Sequence, residues 1–224
     1  MQTPKGYRLF HVVAMLSVAT LLISNTIAVK LFSIGNFTFP AGDIVFPIDY
    51  IIGDVLTEVY GYERTRSVIW TGFIALLLMV VCYVIAVQLV PVGFWHDQAA
   101  FAKLFDQTPR IALGSFAGFL CGSFSNSFVL SKMKIWTKGK FLWSRTIGST
   151  IVAEALDSII FNAIAFYGLF QLSNLFSVMY SGFIFKVAFE IIATPLTYFV
   201  VNKLKRIESE DKFDFDANYN PLKF

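Results

Sequence analysis

The chain has 224 residues, 56% of them hydrophobic and only 15% charged, with a net charge of +3 and a mean hydropathy of +0.66. Soluble domains run at about 25% charged residues, so this balance excludes an ordinary water-soluble domain and points to lipid as the solvent. Cys82 and Cys121 lie in separate apolar runs and the only histidines are His11 and His96, which excludes a disulfide framework and a zinc-type ligand set.

Lys5 and Arg8 precede an apolar run from residue 9 to about residue 29. That run is too long for the core of a signal peptide, and no small-residue cleavage pattern follows it. It reads as a first membrane helix. A span takes about 20 mostly apolar residues, and the chain offers six segments: 9–31, 44–60, 67–90, 110–131, 147–169 and 177–202. The second is short and interrupted by Asp49, Asp54 and Glu58. Between the third and fourth, residues 94–105 set aromatics around His96, Asp97 and Lys103, the pattern of an interfacial helix. Trp136 and Trp143 among lysines read as a second interfacial anchor. Past Ile207 the chain carries Glu208, Glu210, Asp211, Asp214 and Asp216 with no apolar period, so residues 207–224 are expected to be a charged, disordered cytoplasmic tail behind a transmembrane domain of residues 1–206.

Loop charges fix the expected orientation. With the N-terminus inside, the cytoplasm receives Lys5 and Arg8, then Arg64 and Arg66, then Lys132, Lys134, Lys138, Lys140 and Arg145, and lastly Lys203, Lys205, Arg206, Lys212 and Lys223. On the other side the loops near 35–43 and 170–176 hold no Lys or Arg, and the loop near 91–109 holds only Lys103. The expected fold is therefore an all-α integral membrane protein of six transmembrane helices with short interfacial helices and both termini cytoplasmic.

A charge near the bilayer centre costs at least about 2.5–3.5 kcal/mol on insertion scales, so each one is a functional hypothesis. Here the spans hold Asp49, Asp54, Glu58, Glu154, Asp157 and Glu190 against a single base, Lys186, with the amides Asn25, Asn126 and Asn162 beside them. Asp54 and Glu58, Glu154 and Asp157, and Lys186 and Glu190 are three or four residues apart, so each pair shares a helix face. Such faces avoid lipid and should converge on an internal cavity, where six carboxylates cannot all stay ionised beside one cation. Polar residues also join helices by hydrogen bonds worth about 0.6 kcal/mol each, the plainer role open to Asn126 and Asn162. Pro47 and Pro195 fall inside the second and sixth spans, where a proline is expected to kink the helix. Interrupted helices often line transporter cavities. No Gly-x-Ser-x-Gly, His-Glu-x-x-His or P-loop pattern occurs, so the expectation is a small-solute transporter and not an enzyme.

Several segments together resemble the bacterial queuosine precursor transporters, also known as the VUT or YhhQ-type family. They are Ile23-Ser24-Asn25, Phe46-Pro47, the run from Gly53-Asp54 through Thr57-Glu58 to Tyr60-Gly61, the run from Glu154 to Ser158, and Phe185-Lys186-Val187 with Thr194-Pro195-Leu196. The resemblance covers about residues 8–206, and Asp-x-x-Thr-Glu-x-Tyr-Gly is its most specific motif. It implies import of 7-deazaguanine bases, the 7-cyano (preQ0) and 7-aminomethyl (preQ1) compounds or queuine, for queuosine in tRNA. It also implies a bacterial inner-membrane location, no cofactor, no metal and no bound nucleic acid. By resemblance Asn25, Asp54, Glu58, Asp157 and Lys186 form the polar substrate set, and Glu154 belongs with them on its helix face. Asp157 or Asp54 would accept from the base's N–H edge, with Lys186 and Asn25 on its carbonyl or in a balancing ion pair. Aromatic walls have many candidates: Tyr50, Tyr60, Phe161, Phe166, Tyr167, Tyr180, Phe183 and Phe185. Six helices enclose little volume, which is compatible with a homodimer. The rival reading is the substrate-binding subunit of an energy-coupling-factor vitamin importer, although the small-residue spacing of those subunits is not evident in the first helix. Facilitated and proton-coupled transport both stay open.

Overall fold

The computed structural model describes residues 7–35, 37–106, 109–166 and 172–223. Its helices are α1 (Phe10–Ile27), α2 (Phe46–Tyr60), α3 (Tyr62–Gln88), α4 (Gln98–Phe105), α5 (Pro109–Trp136), α6 (Leu142–Phe166) and α7 (Leu172–Glu208). Six of the expected segments are thus helices, and the seventh, α4, falls in the region read as interfacial. Among the described residues, four stretches are long and apolar enough to cross a membrane: Phe10–Ile27, Tyr62–Gln88, Leu113–Trp136 and Met179–Glu208. The remaining two bundle helices are the polar ones. Helix α2 has only 15 residues, and α6 carries Arg145, Glu154 and Asp157.

The burial pattern is inverted relative to a water-soluble protein. Met15, Ile23, Ile74, Leu78, Ile85, Leu113, Ile159, Ile192 and Phe199 are exposed on the outer surface, while Asp54, Thr57, Glu58, Arg145, Thr146, Ser149, Glu154, Glu190 and Thr197 are buried inside. Water would reverse that arrangement, and lipid favours it, because outward apolar side chains cost nothing there and every polar group must find an internal place. The chain is a multi-pass membrane protein.

The residues before α1 and the end of α7 meet on one face. The backbone N–H groups of Arg8 and Leu9 donate to Glu208 at 2.9 and 2.8 Å, and Tyr7 and Phe10 pack edge-on against Tyr60 at the end of α2. This termini face also holds the start of α3, the end of α5 and the start of α6. An apolar cluster of Ile51, Val55, Leu56, Val59, Tyr60, Val68, Leu142, Val201 and Leu204 fills the bundle behind it.

Small residues set the closest helix contact. Helices α5 and α6 run antiparallel from the turn after Trp136, and Gly118 and Gly122 present bare backbone to α6. A methyl at Gly122 would stand 2.9 Å from the Tyr50 hydroxyl and 3.2 Å from the Asp157 Cβ. One at Gly118 would run into the Asp157 carboxylate itself. Four-residue glycine spacing lets helix backbones approach within a membrane, and here it brings an acid-bearing helix to the bundle centre.

Three expectations change. Pro47 does not kink a span: it sits in the first turn of α2, where its missing N–H would have had no partner in any case. Pro195 does lie inside α7. The all-helical expectation omits a short antiparallel hairpin, β1 (Leu31–Ile34) with β2 (Phe37–Pro40), paired Ser33 to Thr38, which leads into a 3-10 turn at Ala41–Ile44. A four-residue strand is too brief to announce itself between two apolar runs. Lastly, residues 209–223 lack regular structure, as their composition suggests, yet they are folded back onto the termini face rather than disordered. Buried partners such as Asp214 with the Tyr62 N–H replace the apolar periodicity that the segment lacks.

Candidate functional site

The buried polar groups fall at three depths along the bundle. Farthest from the termini face, Lys186 of α7 places its Nζ 2.8 Å from Glu154 Oε2 and 3.6 Å from Asp157 Oδ2, both on α6. The three-residue spacing on α6 puts both acids on one face, as the sequence implied, and α7 supplies their cation. Tyr50 of α2 is buried with its hydroxyl among Asp49, Glu154 and Asp157. Asp43, from the 3-10 turn, faces Lys186 and Asp157 from the far face. Asp49 accepts from Ser17 Oγ at 2.9 Å and Thr20 Oγ1 at 3.1 Å, so α1 ties this acid down.

At mid-depth, Asp54 Oδ1 accepts a 2.6 Å hydrogen bond from Asn126 Nδ2 of α5. Asp54 Oδ2, Asn126 Oδ1 and Glu190 Oε1 are buried and have no hydrogen-bond partner among the described residues. Beside them lies a cavity of about 30 Å³ lined by Ser17, Asp49, Tyr50, Gly53, Asn126 and Ser127, among others. That volume holds about one water and no solute, since ligand pockets run to roughly 300 Å³ or more. Among the described residues, the space beside these groups is closed to a solute.

Nearest the termini face, Glu58 Oε1 meets three cations: Lys205 Nζ at 2.7 Å, Arg145 Nη2 at 2.9 Å and Lys134 Nζ at 3.4 Å. Lys134 also donates to the Glu58 carbonyl at 2.6 Å. Asp211, from the folded-back tail, completes the cluster at 2.6 Å from Lys134 and 2.8 Å from Lys205.

Of the expected site residues, Glu154, Asp157 and Lys186 come together. Asp54 lies at the next depth toward the termini face, with Asn126. Glu58 does not share its surroundings: four residues along α2 is about 6 Å of rise, enough to move it into the cationic cluster. Asn25 donates its amide to the Leu21 carbonyl at 2.9 Å within α1 and joins none of these groups. Tyr60 gives its hydroxyl to Glu208 at 3.1 Å, and its ring packs against Tyr7 and Phe10. The side chains of Asn162 and Phe166, and Tyr167 altogether, lie outside the described residues.

Sequence reasoning missed Asp43, Arg145, Lys134 and Lys205 as parts of the polar interior. The balance of six acids against one base therefore needs correcting, because three cations assigned to cytoplasmic flanks reach back into the bundle. Long basic side chains snorkel along apolar surface, so a base one or two turns inside a helix end counts for both places. The signal was available in Arg145, two residues into α6 from Trp143.

Comparison with known proteins places the chain in a family. The family profile described as "Putative vitamin uptake transporter" matches residues 40–200. A protein of Bacillus subtilis named "Probable queuosine precursor transporter" is 28% identical over 195 residues, covering 87% of this chain and 85% of its own. A Haemophilus influenzae protein of the same name is 27% identical over 147 residues, 63% of this chain and 60% of its own. No solved structure is significantly similar. The matched span contains α2, α5, α6 and most of α7, so every acid and base described at the three depths except those of α7's last turns, Lys205, and of the tail, Asp211, falls within it. The chain belongs to the vitamin uptake transporter family, among relatives named as queuosine precursor transporters.

Proposed function

We propose that this protein imports queuosine precursors, the 7-deazaguanine bases preQ0 or preQ1, across a bacterial inner membrane. In this reading α1, α2, α3, α5, α6 and α7 all span, and the termini face is cytoplasmic, in line with the Lys and Arg gathered there. The observation that carries it is the buried group of Lys186, Glu154 and Asp157 beside Tyr50. A deazaguanine offers adjacent N–H donors that one carboxylate accepts together, and a carbonyl that an ammonium satisfies. Asp157 or Glu154 takes the N–H edge once Lys186 turns from it to the carbonyl, and the Tyr50 ring lies against the base. Exchanging the ion pair for charge-assisted hydrogen bonds to the base keeps every buried charge partnered throughout, which a membrane interior requires.

Asp54 with Asn126 is the next polar station toward the cytoplasm, and Glu58 acts in closing that end rather than in contact with the solute. The closed cavity means that loading and release need the bundle to open, first at the far face and then at the termini face. No catalytic step is involved.

The test is rescue of tRNA queuosine in a bacterium that neither makes nor imports the precursor, supplied with each base and scored on a boronate gel. Wild type should rescue and Asp157→Asn should not, with both inserted equally. Failure of every base with the wild type confirmed in the membrane would overturn the substrate, and full rescue by Asp157→Asn would overturn its role.

A further inference from the structure

The folded-back tail is bound more densely than any loop needs. Asp214 Oδ2 accepts from the Tyr62 N–H at 2.9 Å and the Ser131 hydroxyl at 2.6 Å. Arg66 donates to the carbonyls of Asn218 and Asn220 at 2.8 Å each, and the Trp70 indole donates to Pro221 O at 2.8 Å. Tyr219 takes the Lys132 ammonium over its ring at 3.8 Å from the centroid, and its carbonyl accepts from the Tyr62 hydroxyl at 3.2 Å. Lys134 donates to Asp211 and to the Lys212 carbonyl at 2.6 and 2.7 Å. Residues 211–221 thereby strap α3, α5 and α7 together.

Two features set this strap apart from a terminus that is merely tidy. First, Lys134 and Lys205 hold Asp211 of the strap and Glu58 of α2 at once. Any motion that draws either lysine away from Glu58 must also work against the strap. Second, the strap sits on the joint between α2 and α3. Gly61 ends one helix and starts the next at φ 86°, a left-handed conformation that side chains resist. A Cβ there would stand 2.7 Å from Asp214 Oδ1 and 2.8 Å from Lys212 Cγ. A single residue that absorbs the direction change between two helices is where a hinge works, and the strap clamps it. Opening at this face has to move α2, which carries Glu58, against α5 and α6, which carry Lys134 and Arg145.

We propose that the C-terminal strap is the latch of the cytoplasmic gate: docked, it locks the Gly61 joint and the Glu58 ion cluster shut, and its release lets the termini face open. The proposal rests on reading the chain as a transporter, but it names no solute. Its test therefore reads accessibility rather than uptake. Ser127→Cys, beside the cavity, is introduced with Cys82 and Cys121 replaced by serine, and a charged, membrane-impermeant maleimide is added from the side where an N-terminal tag is accessible. The latch requires slow labelling of the full-length chain and labelling at least about tenfold faster when residues 210–224 are deleted, because local openings that lose several hydrogen bonds gain population in that range. Asp214→Ala and Gly61→Ala should move labelling the same way by smaller factors. Adding a synthetic peptide of residues 209–224 to the truncated protein should restore protection, which separates an undocked latch from a misfolded bundle. Unchanged labelling in a truncated protein that inserts and stays monodisperse would overturn the latch, as would labelling that rises but ignores the peptide. A chain that fails to carry deazaguanines can still pass.

Discussion

The two ends of the polar interior are built on opposite terms. Near the termini face one carboxylate, Glu58, meets three cations and is fully buried, and a tail acid joins the same cations. In the far half two acids share one cation, and Lys186 and Asp157 keep about a tenth of their side-chain surface open. Among the described residues Asp54, Glu190 and Glu58 each leave an oxygen without a hydrogen-bond partner, so the two ends differ in the number of cations per acid. A network with surplus partners is rigid and expensive to break, whereas one with too few is ready to accept donors from outside. The contrast supports the roles proposed above, with the cation-rich end closing the bundle and the cation-poor end taking the solute.

The sharpest way to break this comparison is to remove the far half's cation. Lys186→Met leaves Glu154 and Asp157 facing each other with no counter-charge, and uptake in the tRNA rescue should fall at least about 100-fold, the range expected when a positioning contact at a site is lost. If uptake survives, the far half is structural. Glu58→Gln should instead damage stability, because three cations lose their shared anion; breaking a buried pair costs about 3–5 kcal/mol, seen as a lower midpoint in a thermal aggregation scan of the detergent-solubilised protein. Asp54→Asn keeps the Asn126 contact in reach and should leave that midpoint within a few degrees while reducing uptake, a split between stability and transport that Glu58→Gln should not show. Gly118→Ala forces the Asp157 carboxylate aside, and uptake should drop about tenfold with insertion unchanged.

The smallest effect is expected at the strap. Burial pushes the Asp211 carboxyl up, but its bonds to Lys134 and Lys205 outweigh this and hold it below the usual carboxylate range. A depressed value means that its contribution to docking is complete above the ordinary aspartate range and is lost as pH falls through the lowered one. Protection of the thiol probe in the Ser127→Cys chain should therefore hold at neutral pH and loosen only under strong acid. In Asp211→Asn it should be slightly weaker at neutral pH and should lack that acid-dependent step.

The membrane character, the helical segments and the acids within the spans are legible in the sequence, because hydropathy and the cost of a charge in hydrocarbon act residue by residue. Spacing along one helix likewise placed Glu154 and Asp157 on a common face. The same rule misled for Asp54 with Glu58, and for Lys186 with Glu190, since sharing a face says nothing about what stands opposite at each depth. Only the tertiary structure set Lys186 against α6, Asn126 against Asp54, and three flank cations around Glu58. Those choices depend on helix order, on how closely Gly118 and Gly122 let α5 approach α6, and on side chains that reach about a turn beyond their own backbone. The docked tail belongs to the same class: its bonds are made with residues about 80 and 150 positions away, and no local pattern in the chain encodes a partner that distant.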